Sequence, residues 1–383
     1  MLKGQSIVCF ANDFRSDPTS KHQVMKLLSR DNKILWINSI ALRRPSVTVS
    51  DASRILNKLK SFFRGLDREN DHLHAFTPIV LPLPESKWAR KVNSWLLRLY
   101  LRYYLRKLGM KDIQLWTFMP TMVELVGNLG EKKLIYYCVD EWSEFSFIDR
   151  DSILDMEQRL IQKADVVLTT AEKLYEDKRR HNPNTHLIRH GVDFDHFSRA
   201  LDGATEEPED IRSLPRPRIG FYGLIHEWID LKVAEVLARA HSEWSIVLIG
   251  KLSCDASFLE GLSNVYFLGQ KPYESLPGYC KGFDVGLIPF VVNKLTINVN
   301  PIKLREYLAA GLPVVSTNLP EIAPYHEVVH LVDSAEAFVP AVEKALQEKS
   351  WEWIEKRQDA VAGETWQARV DQISELVDAV GAR

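Results

Sequence analysis

The stretch Asn298-Val-Asn-Pro-Ile-Lys-Leu-Arg-Glu-Tyr-Leu-Ala-Ala-Gly-Leu-Pro-Val-Val-Ser316 most narrowly limits what this chain can fold into. It reads as a loop, a short helix, a glycine stop and a buried strand. Asn300 suits an N-cap, and Pro301 suits the first helical position, where its missing N–H would have been unpaired anyway. Leu304, Tyr307 and Leu308 fall at i, i+3, i+4 and give the inward stripe. Gly311 is placed for a left-handed C-cap and Pro313 prevents continuation. Lys303 and Glu306, three apart, share a face in the first two turns. A helix start offers free N–H groups and a positive dipole end, so a diphosphate can sit there with Lys303 as an added cation. Glu306, a turn further in, can accept hydrogen bonds from both hydroxyls of a ribose. Spacing alone leaves a second reading equally open, a solvated Lys–Glu pair worth a few tenths of a kcal/mol.

The rest of the chain supplies the sheets such a helix needs. Ser6–Ala11 is a buried strand, Asn12–Ser20 a polar loop, 21–29 a helix and Ile34–Asn38 a second strand, the opening of a doubly wound sheet. Ligands bind at the loop after the first strand of such a sheet, so Asn12 and His22, which flank it, are acceptor-side candidates. Strands follow at 113–118, 134–140, 164–170 and 185–190, with helices at 151–163 and 171–180. Asp140 ends its strand, where a parallel sheet points into a ligand cleft. A capping or loop aspartate is the plainer alternative. Residues 198–217 hold three prolines and an acidic run, so the expected division is a first domain at 1–200, a linker at 201–217 and a second domain at 218–383 whose last helix returns to the first. The second series has strands at 218–223, 244–250, 265–269, 283–289, 313–317 and 329–332. Two of them end in Gly223 and Gly250, which lets backbone approach a ligand closely.

The net charge of −2 hides an asymmetry: residues 1–110 carry 20 Lys+Arg against 8 Asp+Glu, and the remainder 29 against 43. A basic first part on an acidic body points to an anionic partner. Arg43, Arg44, Arg54, Lys58, Lys60, Arg64 and Arg68 stud a segment that also holds Ile55, Leu56, Leu59, Phe62 and Phe63. After an extended piece at 79–84, residues 86–107 form a basic helix rich in Trp, Tyr and Leu. Together, residues 41–111 favour peripheral contact with an anionic membrane, a core helix with fanned-out arginines being the alternative. No nucleic-acid platform is expected, because the aromatics lie on helices rather than on strands. Four scattered cysteines without metal-ligand spacing fit a reducing compartment. The N-terminus is no signal peptide and no run is long enough to span a bilayer, so a cytoplasmic location, at or near the inner membrane face, is expected.

At the level of motifs the residues become familiar. Asn-Pro-Ile-Lys-Leu-Arg-Glu-Tyr-Leu-Ala-Ala-Gly-Leu-Pro-Val-Val (300–315) resembles the C-terminal nucleotide-binding signature of the GT-B nucleotide-sugar glycosyltransferases. Residues 220–230, 269–277 and 283–290 are similar to other segments of that donor domain, and His-Gly-Val-Asp-Phe-Asp-His-Phe (190–197) to the pattern closing the first domain. Bacterial cell-surface polysaccharide transferases, teichuronic-acid and xanthan types among them, are the nearest groups. The resemblance implies an α/β GT-B architecture, two doubly wound Rossmann-like domains facing across a cleft. It implies a donor, UDP-linked in expectation, held by Gly223, Gly250, Tyr273, Ile302, Lys303 and Glu306, with Lys303 on the diphosphate, Glu306 on the ribose and Tyr273 near the base. The acceptor would be a lipid-linked saccharide or a polysaccharide, and Asp140 the base for its hydroxyl. Retaining members of the superfamily carry a second glutamate eight residues before the ribose-binding one; here Asn298 stands there, which favours an inverting reaction. With no D-x-D pair at a strand end, neither a metal nor a cofactor is expected. Two alternatives stay open: a sugar-nucleotide epimerase of the same fold, and a non-catalytic nucleotide- or glycan-binding subunit.

Overall fold

In a computed structural model of the chain, which describes residues 1–16, 18–38, 60, 62, 65–83 and 86–381, the polypeptide divides into two units. The first comprises Met1–Arg189 with Arg369–Arg383, the second His190–Ala368. The first unit is one sheet in the order β3-β4-β2-β1-β5-β6-β7-β8. Its strands are β1 (Ser6–Phe10), β2 (Lys33–Ile37), β3 (Leu66–Arg68), β4 (Leu73–Phe76), β5 (Gln114–Thr117), β6 (Lys133–Cys138), β7 (Val166–Thr169) and β8 (Thr185–Leu187). All neighbours run parallel except β3 and β4. The second unit is a parallel sheet in the order β11-β10-β9-β12-β13-β14. Its strands are β9 (Arg218–Tyr222), β10 (Ser245–Ile249), β11 (Val265–Gly269), β12 (Val285–Ile288), β13 (Val314–Thr317) and β14 (Val329–Val332).

Each sheet reverses its winding once, at β1/β5 and at β9/β12, and the crevice outside the carboxyl ends of those strands is where doubly wound sheets take ligands. The strands read as apolar runs because helices cover both faces. The short hairpin strands β3 and β4, which the sequence pattern did not predict, extend the first sheet. Residues 79–83, expected to be extended, carry no ladder and are tied instead to Asn93, which bonds both the N–H and the carbonyl of Leu81.

The boundary between the units falls at Arg189/His190, not at 200. Residues 201–217 are built into the second unit rather than spanning between domains: Ile211 is fully buried, Glu207 pairs with Arg216 and Arg218, and Asp210 takes Tyr279 and Lys271. Three prolines and an acidic run are therefore compatible with an ordered segment, because its charges meet partners on the sheet it wraps. At the other end, the helix Trp366–Ala379 carries Val370, Ile373 and Val377 as a buried stripe. Within the first unit, the Val377 carbonyl accepts from Lys133 and Asp371 meets the terminal amine.

The opening motif folds with two differences from expectation. The helix spans Ile302–Ala309, and its N-cap is Pro301, with no side chain capping it. Asn300 is buried beneath it: its Oδ1 accepts from Arg305 and its Nδ2 donates to Glu321. The C-terminus closes as a Schellman motif, with Gly311 N–H on the Leu308 carbonyl and Leu312 N–H on that of Tyr307. Gly311 sits at φ +73°, and a Cβ there would meet Ile354 at 2.8 Å. Gly311→Ala is expected to destabilise the protein by about 1–3 kcal/mol, read as a fall in the urea midpoint at constant slope. An unchanged midpoint would show that the helix does not need this stop.

Candidate functional site

Two clusters form at the carboxyl ends of the switch-point strands, one in each unit. In the second unit β9 and β10 both end in glycines with positive φ, Gly223 at +139° and Gly250 at +142°. Their N–H groups donate to the Ile249 and Gly269 carbonyls. The chain is so tight here that a Cβ on Gly250 would lie 1.8 Å from the Gly223 carbonyl oxygen. A Cβ on Gly223 would lie 2.3 Å from Lys303 Cε and 2.6 Å from its Nζ. The two glycines therefore let β10 press on β9 and β9 on the lysine. Lys303, at the second position of the 302–309 helix, lays its ammonium against the Phe221 ring, 5.6 Å from the centroid. Burial lowers its pKa, and the nearby Glu306 carboxylate opposes that shift.

Glu306 is buried, which removes the reading as a solvated surface pair. Its Oε2 accepts from the Tyr222 hydroxyl at 2.8 Å, while Tyr307 Oη accepts from the Tyr222 N–H at 3.1 Å. Burial pushes the Glu306 carboxyl up, and Lys303 and the Tyr222 hydrogen bond pull it back. The helix start, uncapped by any side chain, together with the Lys303 ammonium, suits an anion; the carboxylate behind them suits a hydroxylated ring. Tyr273 is placed differently from Lys303. It stacks on His196, with centroids 4.7 Å apart, and meets Phe197 edge-on. Phe197 in turn lies parallel to Tyr222 at 6.5 Å. His196 belongs to the 190–197 motif, so that motif packs against Tyr273 and, through Phe197, Tyr222. Asn298 directs its Nδ2 to the Lys294 carbonyl at 2.7 Å and serves the loop.

What holds this helix was missed from sequence. Arg305 is completely buried and bonds Glu364 through Nε at 2.6 Å, Asn300 through Nη1 at 2.8 Å and Tyr325 through Nη2 at 3.0 Å. An arginine between Lys303 and Glu306 looks like one more surface charge; only its place opposite the exposed face marks it as inward.

In the first unit Asp140 follows β6 and is half-buried. Burial pushes its carboxyl up, and Lys21 pulls it down. An ionised base here thus depends on a neighbour, which the sequence reading had not required. Lys21, at the second position of the helix Ser20–Leu28, lies 5.9 Å from the Phe118 ring and 5.8 Å from that of Trp142. Glu141 is fixed by Lys178, whose ammonium also holds Glu157 and is itself buried. His22 is not on a ligand face. It is fully buried against Phe14 and Trp36, Nδ1 accepts from the Thr19 N–H at 3.1 Å and Nε2–H donates to the Phe14 carbonyl. Burial lowers its pKa to about 4, so it is a neutral capping residue. Asn12 remains at the edge, its Nδ2 on Ser16 and its Oδ1 buried without a partner. Among the described residues no group of three or more His, Cys, Asp or Glu could hold a metal ion.

The family described as Glycosyl transferases group 1 matches residues 216–348, which contain Gly223, Gly250, Lys303 and Glu306. A Bacillus subtilis (strain 168) protein described as a teichuronic acid biosynthesis glycosyltransferase, TuaH, is 28% identical over 288 residues, covering 68% of this chain and 70% of that protein. Among solved structures, sucrose-phosphate synthase from Thermosynechococcus elongatus superposes with a TM-score of 0.67 at 16% identity, covering 98% of each chain. Anabaena HepE, solved with UDP-glucose, superposes with a TM-score of 0.68 at 10% identity, covering 98% of this chain and 99% of that one. The chain has the GT-B fold, its residues 216–348 match the group 1 glycosyl transferase family, and it is similar to the teichuronic acid transferase TuaH.

Proposed function

We infer that the protein transfers a hexosyl or glycuronosyl group from a UDP-sugar to a lipid-linked saccharide or polysaccharide acceptor, without a metal or cofactor, in cell-surface polysaccharide synthesis. The observation that carries this reading is the Lys303 ammonium lying against Gly223 beside an uncapped helix start, with Glu306 buried behind it. The diphosphate takes the helix start and Lys303; the ribose hydroxyls take Glu306. HepE bound to UDP-glucose supports the choice of nucleotide. Ile302 contributes backbone at the helix start, Gly250 lets the adjacent strand end press against Gly223, and Tyr273 is assigned to the side of the base.

Asp140 is the base in this reading. It takes the acceptor hydroxyl's proton as the oxygen bonds to the anomeric carbon and the bond to the diphosphate breaks, releasing UDP with inversion. The amide of Asn298, where retaining members of the superfamily carry a carboxylate, supports inversion. An epimerase would need several acid–base groups at the donor cluster, where Glu306 is the carboxylate described. A purely binding subunit would need no half-buried carboxylate at the first switch point.

Substituting Lys303→Ala should weaken UDP affinity about tenfold or more, the scale of a charge-assisted contact. Gly223→Ala should weaken it similarly by displacing the lysine. Thermal-shift titration of wild type and variants with UDP and a panel of UDP-sugars measures both. Unchanged affinities would remove the site. Asp140→Asn should abolish transfer while leaving UDP affinity intact; donor turnover that survives it would assign the base elsewhere, and UDP binding with no turnover by wild type would favour the binding subunit.

Peripheral membrane contact belongs to the same reading. Among the described residues no helix is long and apolar enough to cross a membrane. The helix Lys87–Lys107 buries Ala89, Asn93, Leu97 and Leu101 on one side and exposes Trp88 (66%), Trp95 (54%), Leu99 (45%) and Tyr103 (60%) on the other. Exposed Lys91, Arg102 and Arg106 flank that stripe. Aromatics beside cations suit an anionic interface. The expected basic segment at 41–59 lies outside the described residues. Vesicles of phosphatidylcholine with phosphatidylglycerol should sediment the protein at low salt and release it as salt rises. Trp88→Ser with Trp95→Ser should abolish sedimentation, and wild-type protein that stays in the supernatant at low salt would exclude the contact.

A further inference from the structure

The first-unit switch point gathers buried polar atoms that lack hydrogen-bond partners. Among the described residues, no carboxylate lies within ion-pairing distance of the Lys21 ammonium, which rests between the Phe118 and Trp142 rings. Asp140 makes its electrostatic contact with that lysine without an ion pair. Trp142 is 6% exposed, and its indole N–H is buried with no hydrogen-bond partner. Thr121 Oγ1 and Asn12 Oδ1 are likewise buried and unpartnered. Buried donors and acceptors are normally satisfied, and each one left alone costs about 1–3 kcal/mol. These side chains follow β1, β5 and β6, three adjacent parallel strands, so they share one edge of the sheet. Hydroxyls are the partners that could satisfy donors and acceptors together.

We propose that Lys21, Trp142, Thr121 and Asn12 form a pyranoside subsite around Asp140, in which the Trp142 N–H and the Lys21 ammonium hold ring hydroxyls. The proposal rests on the reading of Asp140 as the base and names the residues that present the acceptor to it. Lys21 acts on the reaction through Asp140 and is a positioning residue. The groups that face this edge leave it as the acting cation. On its own helix His22 is neutral, and Cys9 of β1 is a thiol pushed far up by burial. Beyond Asp140, Glu141 is held by Lys178, and Glu144 by Arg150. The sign follows: burial raises the pKa of Asp140 and Lys21 lowers it, so removing the lysine raises it further. The acidic limit of glycoside binding, reached when Asp140 is protonated, then moves to higher pH.

The test uses the full chain and saturation-transfer NMR with methyl glycosides of glucose, galactose, N-acetylglucosamine and glucuronic acid, with UDP in the same tube as a control. At least one glycoside should bind the wild-type protein. Lys21→Met should weaken it roughly tenfold, the scale of one hydrogen bond to a charged group, and shift the acidic limit upward. Lys21→Arg should keep the wild-type limit. Trp142→Phe, which retains a ring but loses the N–H, should weaken binding without moving the limit. A circular dichroism spectrum and a cooperative melting transition like those of wild type show that each variant is folded. If no glycoside binds while UDP does, or if Lys21→Met and Trp142→Phe bind and titrate like wild type, the subsite is refuted. Failure of the wild-type protein to bind UDP would instead sink the donor reading, and the glycoside pattern would stand or fall independently.

Discussion

The helix Ile302–Ala309 depends on one buried guanidinium. Arg305 carries a full charge with no solvent contact, a state that is tolerable only when its donors meet well-placed acceptors. Those acceptors come from three places: Asn300 just before the helix, Tyr325 after β13, and Glu364 from the far end of the unit. Tyr325 also donates to Glu364 at 2.6 Å, which closes the network. The same tail reaches the helix C-terminus, where Gln358 donates to the Ala309 carbonyl and the buried Arg357 to that of Gly311. Residues 354–364 thereby fix both ends of an eight-residue helix that would be marginal alone. Lys303 and Glu306 are presented by a rigid element because Arg305 faces the other way.

Close approach is the second constraint. Gly250 against Gly223, and Gly223 against Lys303, form a stack in which each contact is shorter than a Cβ permits. The glycines thus do more than turn the chain. They bring a flexible lysine down onto the strand end, where the Phe221 ring and surrounding burial limit its freedom, so less side-chain entropy remains to be lost when an anion arrives.

Much of this was legible in the sequence, for reasons that differ from element to element. Apart from the hairpin strands β3 and β4, the strands of both sheets were readable because parallel strands buried on two faces are continuous apolar runs. Lys303 and Glu306 were readable because a Pro–helix–Gly–Pro frame fixes their phase. Other features were not. The boundary at 189/190 was hidden because proline and acidic residues mark a surface path, not independence from the core beneath it. His22 was misread because a helix-start histidine can cap as well as bind, and only the Thr19 and Phe14 partners decide. Arg305 and Lys21 were passed over because burial of a long cation depends on partners tens of residues away, which local periodicity does not encode.

The two switch points arrive at one electrostatic design from different residues. Each places a lysine at the second position of the helix it uses, Lys21 in one unit and Lys303 in the other, and lays its ammonium on aromatic rings. In each, burial lowers the lysine's pKa and a nearby carboxylate, Asp140 or Glu306, opposes the shift without forming an ion pair. A closed ion pair would satisfy both charges and leave little for a ligand to gain. Held apart and partly desolvated, each charge keeps its bonding capacity and meets a weaker dielectric than in water, which in the proposed reading is what a hydroxyl or phosphate would use. The desolvation of these charges is borne by folding rather than by binding, which is the physical content of preorganisation at both sites.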